Sequence, residues 1–134
     1  MMKRKKGKLL FEEESFKIIG ACIEVHKKLG AGFFEEIYCE AIEKEFTKKE
    51  IPFERKKKLN INYDGVPLNK QFTADFLCYN KIMIVVIVDA FIKEEYVQKT
   101  LNYLKATNLK LALLINFGAS SLKWKRLIHT NANH

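Results

Sequence analysis

The feature that most constrains the fold is a run of seven large apolar residues, Ile82–Val88, in a chain in which 30% of the residues are charged. A run this short cannot cross a membrane, which takes roughly 18 apolar residues. It is typical of a strand buried on both faces, because such a strand has no solvent side on which polar residues would alternate. We therefore expect Ile82–Val88 to be the central strand of a sheet.

Two helices are predicted before this strand. Apolar residues recur at helical spacing from Glu13 to Leu29 and again from about Glu35 to Lys49. Gly30 and Gly32 interrupt the pattern between the two segments, and Pro52 follows the second one. The pattern indicates two helices joined by a glycine corner.

A meander of three strands is predicted after Pro52. Leu59, Ile61 and Tyr63 alternate with polar residues before Asp64-Gly65, a dipeptide favoured in tight hairpin turns. The segment "FTADFLCYN" then leads into the apolar run, and Asn80-Lys81 is the expected second turn. The elements expected after the meander are a helix over Tyr96–Lys105, a buried strand in "KLALLINFG" and a last strand over Leu122–Ile128.

The predicted order is therefore helix, helix, three-strand meander, helix, strand, strand. A crossover helix that returns the chain to the sheet gives an α/β fold of the α+β type with a mixed sheet. The length of 134 residues suits one core. We expect residues 13–130 to form a single domain and residues 1–12 to be a basic N-terminal arm that nothing apolar would hold in place.

Basic residues exceed acidic ones by 24 to 16, which gives a net charge of +8. Much of the excess lies in three runs, Lys3–Lys8, Arg55–Lys58 and Lys123–Arg126. Such a field attracts nucleic acid or an anionic surface, although charge that simply faces solvent explains it equally well. Lys56, Lys57 and Lys58 are our candidates for nucleic-acid contacts.

Cysteine usage and the N-terminal sequence both favour the cytoplasm. Cys22, Cys39 and Cys78 are an odd number without C-x-x-C spacing, so neither a disulfide framework nor a zinc site is indicated. The basic N-terminus is not followed by the apolar segment of a secretory signal. We expect a cytoplasmic protein that is not inserted in a membrane.

Three collinear segments carry a resemblance to a known family. Gly32, Glu35 and Tyr38 form the pattern G-x-x-E-x-x-Y, and "IPFERKKKLNINYDGVPLNKQFTADFLCYNKI" and "LNYLKATNLKLALLINFG" follow it. Over roughly residues 15 to 128 the chain resembles the GxxExxY family of small bacterial and archaeal proteins. That family is grouped with the PD-(D/E)xK nucleases, so the resemblance implies a restriction-endonuclease-like core.

The resemblance also implies a metal site that this chain retains only in part. In such nucleases an Asp and a Glu on neighbouring strands hold a divalent metal, and a Lys two residues after the Glu lies beside the attacking water. Asp75 occupies the first acidic position, but Val85 and Ile87 stand where Glu and Lys are expected. Aliphatic side chains can neither bind Mg²⁺ nor transfer a proton. A shift of one residue would put Val86 and Val88 there, with the same result.

A rearranged site is the alternative. Glu35 on the second helix could be a second metal ligand beside Asp75, and Lys99, where the family commonly has Gln, could be the catalytic lysine. Asp89 shares a strand face with Val85, but it lies about 13 Å away at about 3.3 Å per residue, too far to replace the missing Glu.

Each candidate also has a purely structural interpretation. A carboxylate such as Glu35 is favoured in the first turn of a helix, Asp75 could cap a strand or pair with a basic residue, and Lys99 could simply face solvent. Tyr38 could pack on the core through its ring, and a buried, hydrogen-bonded role is the better prediction for His26.

The loss of both the Glu and the Lys favours a non-catalytic module that binds nucleic acid or a protein partner. The alternative is a nuclease with Mg²⁺ as its cofactor and a rearranged site of Glu35, Asp75 and Lys99. Carboxylates of Glu35 and Asp75 within about 5 Å of each other, with Lys99 nearby, would favour the enzyme. The sequence sets no oligomeric state.

Overall fold

A computed structural model describes residues 9–129 of the chain. Its helices and strands follow the predicted order. They are α1 (Glu12–Leu29), α2 (Glu35–Lys48), β1 (Phe53–Tyr63), β2 (Val66–Cys78), β3 (Ile82–Ile87), α3 (Glu94–Thr107), β4 (Leu111–Asn116) and β5 (Lys123–Ile128). Residues 1–8 of the expected N-terminal arm, with the Lys3–Lys8 run, lie outside the described residues, and Glu12 already belongs to α1.

The five strands form one mixed sheet in the order β1-β2-β3-β4-β5. Neighbouring strands are antiparallel except β3 and β4, which are parallel because α3 carries the chain back across the sheet between them. β3 lies in the middle and is largely buried on both sides, so the prediction of a central strand is confirmed. The strand ends at Ile87, and Val88 is exposed.

Helices cover both faces of the sheet. α1 and α2 enclose the larger core, in which Tyr38, Phe46 and Phe76 are completely buried. α3 covers the opposite face through a smaller core that contains Leu104, with Phe72 and Tyr103 stacked at its edge at 4.0 Å between ring centroids. This is the restriction-endonuclease-like arrangement expected. No helix within residues 9–129 combines the length and apolar character that a membrane crossing needs.

The two tight turns of the meander differ in how well they were predicted. Asp64 and Gly65 both have left-handed backbone, with φ of 52° and 80°, and form the expected hairpin turn. In the second turn the left-handed residues are Tyr79 and Asn80, rather than the predicted Asn80-Lys81. The Lys81 N–H donates to the Cys78 carbonyl at 3.0 Å, which centres the turn one residue earlier.

Candidate functional site

β2 and β3 separate at Asp75. The last backbone pair between the two strands joins Phe76 to Ile84. Beyond this pair the Asp75 side chain, rather than the β2 backbone, is the partner of β3, because its Oδ2 accepts a hydrogen bond from the Val86 N–H at 2.7 Å. We call this point of separation, at Asp75 and Val86, the β2–β3 fork. A main-chain N–H of the central strand thus holds the Asp75 carboxylate in place.

The strands β1 and β2 also twist sharply at this position. Phe76 belongs to the core under α1 and α2, whereas Ala74 belongs to the core under α3, although residues two apart on a regular strand share a face. Lys56, which lies opposite Asp75 in the β1–β2 register, has a left-handed backbone with φ of 54°. Asp75 is therefore at the point where the sheet changes face.

The glycine corner fixes the start of α2, and with it Glu35. Gly32 has φ of 112°, a conformation that only glycine adopts readily. Tyr38 is fully buried, and its hydroxyl donates to the Gly30 carbonyl at 2.5 Å and accepts from the Phe33 N–H at 3.3 Å. Tyr38 thus packs in the core as expected and also ties the loop to α2. Glu35 is the first residue of the helix.

Glu35 and Asp75, 40 residues apart in sequence, meet at the fork. A carboxylate oxygen of each and the Cys39 Sγ all lie within 4.8 Å of one another. Burial, the Asp75 charge and a hydrogen bond to Asp75 raise the pKa of Glu35 to about 7. Burial also raises the pKa of Asp75, although the Val86 amide and the hydrogen bond from Glu35 oppose that rise. The two carboxyl groups therefore share a proton near neutral pH when no cation is bound.

A cavity of about 250 Å³ opens beside this pair. Glu35, Asp75 and Lys99 all line it, so the three residues considered for a rearranged site reach one space. Lys99 projects from α3, is exposed, and forms no ion pair with any residue from 9 to 129. One cationic side chain and two carboxyl groups thus line the same cavity.

Comparison with known protein families matches residues 12–127 to the PD-(D/E)XK nuclease superfamily. The chain belongs to the PD-(D/E)XK nuclease superfamily. No curated protein and no solved structure was significantly similar to it.

The wall of the cavity shows where this PD-(D/E)XK chain departs from the nuclease chemistry. Continuing the β2–β3 register places Val85 opposite Asp75, which is where the sequence comparison put the missing Glu. Val85 and Ile87 both line the cavity and pack against the core under α3. The central strand of this PD-(D/E)XK domain therefore presents methyl groups to the site instead of a carboxylate and an ammonium group.

The remaining donor atoms fit Mg²⁺ or Mn²⁺. Mg²⁺ is bound in proteins through one or two carboxylates, with water and substrate phosphate completing its coordination, and Glu35 and Asp75 offer two carboxylates. The Cys39 thiol does not compete as a ligand, because burial and the neighbouring carboxylates raise its pKa to about 12 and keep it protonated. The oxygen donors favour a hard cation over zinc.

Two other candidates have structural contacts. Asp89 accepts a hydrogen bond from the Tyr96 hydroxyl at 2.5 Å, and its backbone is bridged by the Asn116 side chain, so it organises the loop after β3. His26 is buried, and its Nε2 lies 3.0 Å from the Ala119 carbonyl oxygen, which supports the structural interpretation.

The basic run on β1 is partly neutralised by neighbouring carboxylates. The Lys56 Nζ lies 3.2 Å from Glu36, and the Lys57 Nζ lies 2.9 Å from Glu54, while Lys58 is exposed. Glu36, the partner of Lys56, is the residue that follows Glu35 in α2. The prediction that Lys56, Lys57 and Lys58 contact nucleic acid stays a prediction.

Sequence reasoning missed two neighbours of the carboxylate pair. Cys39 lies four residues after Glu35, one helical turn along α2, so helical spacing could have identified it. Arg55 forms ion pairs with Glu36 at 2.7 Å and Glu43 at 2.9 Å, and thereby attaches β1 to α2 beside the site. No local pattern in the sequence signals that pairing.

Proposed function

We propose that this chain is a divalent-metal-dependent nuclease with a rearranged active site. Glu35 and Asp75 hold the cation, and Lys99 on α3 replaces the strand lysine that is usual in the superfamily. The observation that supports this best is the approach of the Glu35 and Asp75 carboxylates to within 4.8 Å beside a cavity that Lys99 also lines. Carboxylates of Glu35 and Asp75 within about 5 Å of each other, with Lys99 nearby, are the arrangement that favours an enzyme over a non-catalytic module.

The close approach of the Glu35 and Asp75 carboxylates destabilises the folded protein unless a cation binds to them. Two ionised carboxylates this close repel each other, and that repulsion is part of what raises the pKa of Glu35 to about 7. A cation removes the repulsion and releases the shared proton, so Glu35 and Asp75 are better suited to cation binding than to stabilising the fold. A bound Mg²⁺ would supply neutralisation of phosphate charge and a lowered pKa for a water molecule.

Lys99 supplies the positive charge that Ile87 cannot. Its ammonium group is at the cavity without a carboxylate partner among residues 9–129, so it is available to a phosphodiester. In this position it would stabilise the negative charge that develops on the phosphate and orient the attacking water. α3 thus provides a function that β3 has lost.

A non-catalytic nucleic-acid-binding module is the second candidate. Its support is that Val85 and Ile87 stand where the superfamily usually has a carboxylate and a lysine.

Within the superfamily, we propose that the chain belongs to the GxxExxY family, because Gly32, Glu35 and Tyr38 form the pattern of that family. Free buried thiols at Cys22, Cys39 and Cys78 agree with the expected cytoplasmic location.

A cleavage assay on single- and double-stranded DNA and RNA, with Mg²⁺, Mn²⁺ or EDTA, separates the two candidates. We expect slow cleavage that requires the cation and is lost in Asp75→Ala and Glu35→Gln. Lys99→Met should reduce the rate at least a hundredfold, within the range typical of a lost acid–base or charge-stabilising group. Lys105→Met, which removes another exposed lysine from α3, should leave the rate unchanged.

Cation binding is measured in parallel by calorimetry with Mn²⁺ alone. Binding without cleavage, together with salt-dependent retention of nucleic acid, would favour the non-catalytic module. Cleavage that persists in Asp75→Ala would point to a contaminating nuclease and would remove the support for the proposal.

A further inference from the structure

The solvent side of α1 carries a regular stripe of residues. Glu13, Phe16, Gly20, Ile23 and Lys27 are all exposed. Successive members are three or four residues apart, so they lie within an arc of about 80° on the helix surface. Phe16 is 78% exposed, which is unusual for a phenylalanine on a folded domain. We call these five residues the α1 seam.

The α1 seam has the spacing of a helix–helix contact. Alternating steps of three and four residues give the 3.5-residue repeat by which two helices pack at a shallow angle. Leu9 and Trp124, 51% and 40% exposed, lie beside it and line a groove of about 380 Å³ together with Phe16 and Ile23. The groove is apolar along most of its length, so water contact with it is unfavourable.

We propose that the α1 seam binds a second copy of this chain, with the two α1 helices antiparallel about a two-fold axis at Gly20. Glu13 and Lys27 are each seven residues, or two helical turns, from Gly20. The axis therefore places Glu13 opposite Lys27 of the second copy, and it places Phe16 against Ile23 of the second copy. The absence of a side chain at Gly20 lets the two backbones approach closely at the centre.

Charge selects this partner and this orientation. Glu13 and Lys27 form no ion pair with any residue from 9 to 129. Acidic residues occupy the first turn of α1 and basic residues its last turn, so an antiparallel pair is complementary at both ends. A parallel pair would place like charges together. The isologous contact closes on itself, as a dimer interface must.

The dimer leaves both candidate active sites accessible. Glu35, Asp75 and Lys99 belong to α2, β2 and α3, and none of these residues lies in the α1 seam or the adjoining groove. Dimerisation can therefore be tested independently of whether the chain cleaves nucleic acid. The contact is small, so we expect a reversible dimer with a dissociation constant in the micromolar range, on the order of 10 μM.

Sedimentation equilibrium of the full chain from about 1 to 100 μM tests the assembly. The mass should rise with concentration from 15.7 kDa towards twice that value. Phe16→Asp should keep the chain monomeric, because a carboxylate would be buried against Ile23. Lys44→Glu, a charge reversal at an exposed position of α2, should leave the dimer unchanged.

Charge reversal tests the antiparallel register. Glu13→Lys and Lys27→Glu should each raise the dissociation constant about fivefold, because each replaces an attractive pair by a repulsive one on both sides of the axis. The double variant exchanges the two charges and should restore the affinity. A double variant that is as weak as the single ones would overturn the register that we propose.

A cross-link locates the axis. Gly20→Cys has open space for a side chain and should form a disulfide between the two copies under mild oxidation. The three native thiols are buried and do not interfere, and Glu40→Cys on α2 should not cross-link. The proposal fails if the chain stays monomeric up to 100 μM, if the dimer survives Phe16→Asp, or if Gly20→Cys forms no cross-link.

Discussion

Replacing Glu35 by glutamine should stabilise the protein at alkaline pH while removing a ligand of the proposed site. The pKa of Glu35 is raised from 4.5 to about 7 by burial and by Asp75. The stability that the protonated group contributes is therefore complete below about pH 4.5 and is lost as the pH rises through about 7. Glutamine keeps the shape of the protonated side chain but never ionises.

The size of the effect follows from that rise. At about 1.4 kcal/mol per pH unit, a rise from 4.5 to about 7 is equivalent to about 3 kcal/mol in the free energy of unfolding. The carboxyl group of Glu35 is partly buried beside Asp75, but the residue as a whole is exposed, so solvent screens part of the repulsion and we expect about 1 kcal/mol. The Glu35→Gln protein should melt about 4 °C above the unmodified protein at pH 8, and at the same temperature at pH 4.

Thermal unfolding followed by circular dichroism at pH 4 and pH 8 measures this difference. Glu36→Gln is the matched control, because Glu36 forms ion pairs with Arg55 and Lys56 and its loss should lower the melting temperature at pH 8. Mn²⁺ should raise the melting temperature of the unmodified protein but not that of Glu35→Gln. A Glu35→Gln protein that is less stable at pH 8, or equally shifted at both pH values, would refute the repulsion between the two carboxylates.

Three further changes test the fold and the basic strand. Gly118→Ala should destabilise the protein by about 3 kcal/mol or more in chemical denaturation, because a Cβ there would lie 2.3 Å from both N and O of the Asp89 backbone; unchanged stability would contradict this close approach. Tyr38→Phe should lower the free energy of unfolding by about 1.5 kcal/mol, because it removes the hydrogen bond to the Gly30 carbonyl at 2.5 Å; unchanged stability would mean that this bond does not hold the loop. Changing Lys56–Lys58 to Glu should weaken nucleic-acid binding at least tenfold and reduce its salt dependence in filter-binding assays, and unchanged affinity would place the contact elsewhere.

Most of the architecture could be predicted because the signals for it are local. An apolar run such as Ile82–Val88 has no polar face, so it must be covered on both sides. β3 is covered in this way, because it lies in the middle of the sheet. Asp64-Gly65 forms the expected turn because both residues tolerate left-handed backbone. The second turn was misplaced by one residue because Tyr79 adopts positive φ, which tyrosine seldom does.

The candidate site was predictable as a set of residues but not as an arrangement. Spacing alone does not bring Glu35 to Asp75, because their approach depends on the β2–β3 fork and on the twist of the sheet at Lys56. Both features arise from pairing between distant segments. The resemblance identified Asp75 and the missing chemistry at Val85, whereas the position of Lys99 at the same cavity required the packing of α3.

The β2–β3 fork makes a hydrogen bond of the central strand depend on whether Asp75 is ionised, protonated or bound to a cation. The Val86 N–H donates to a side chain that can gain or lose charge, rather than to the fixed carbonyl of a neighbouring strand. A proton or a cation arriving at Asp75 therefore withdraws electron density from that hydrogen bond and weakens it. The NMR chemical shift of the Val86 amide should consequently change when a proton or a cation binds at Asp75, so it reports occupancy of the site without any substrate.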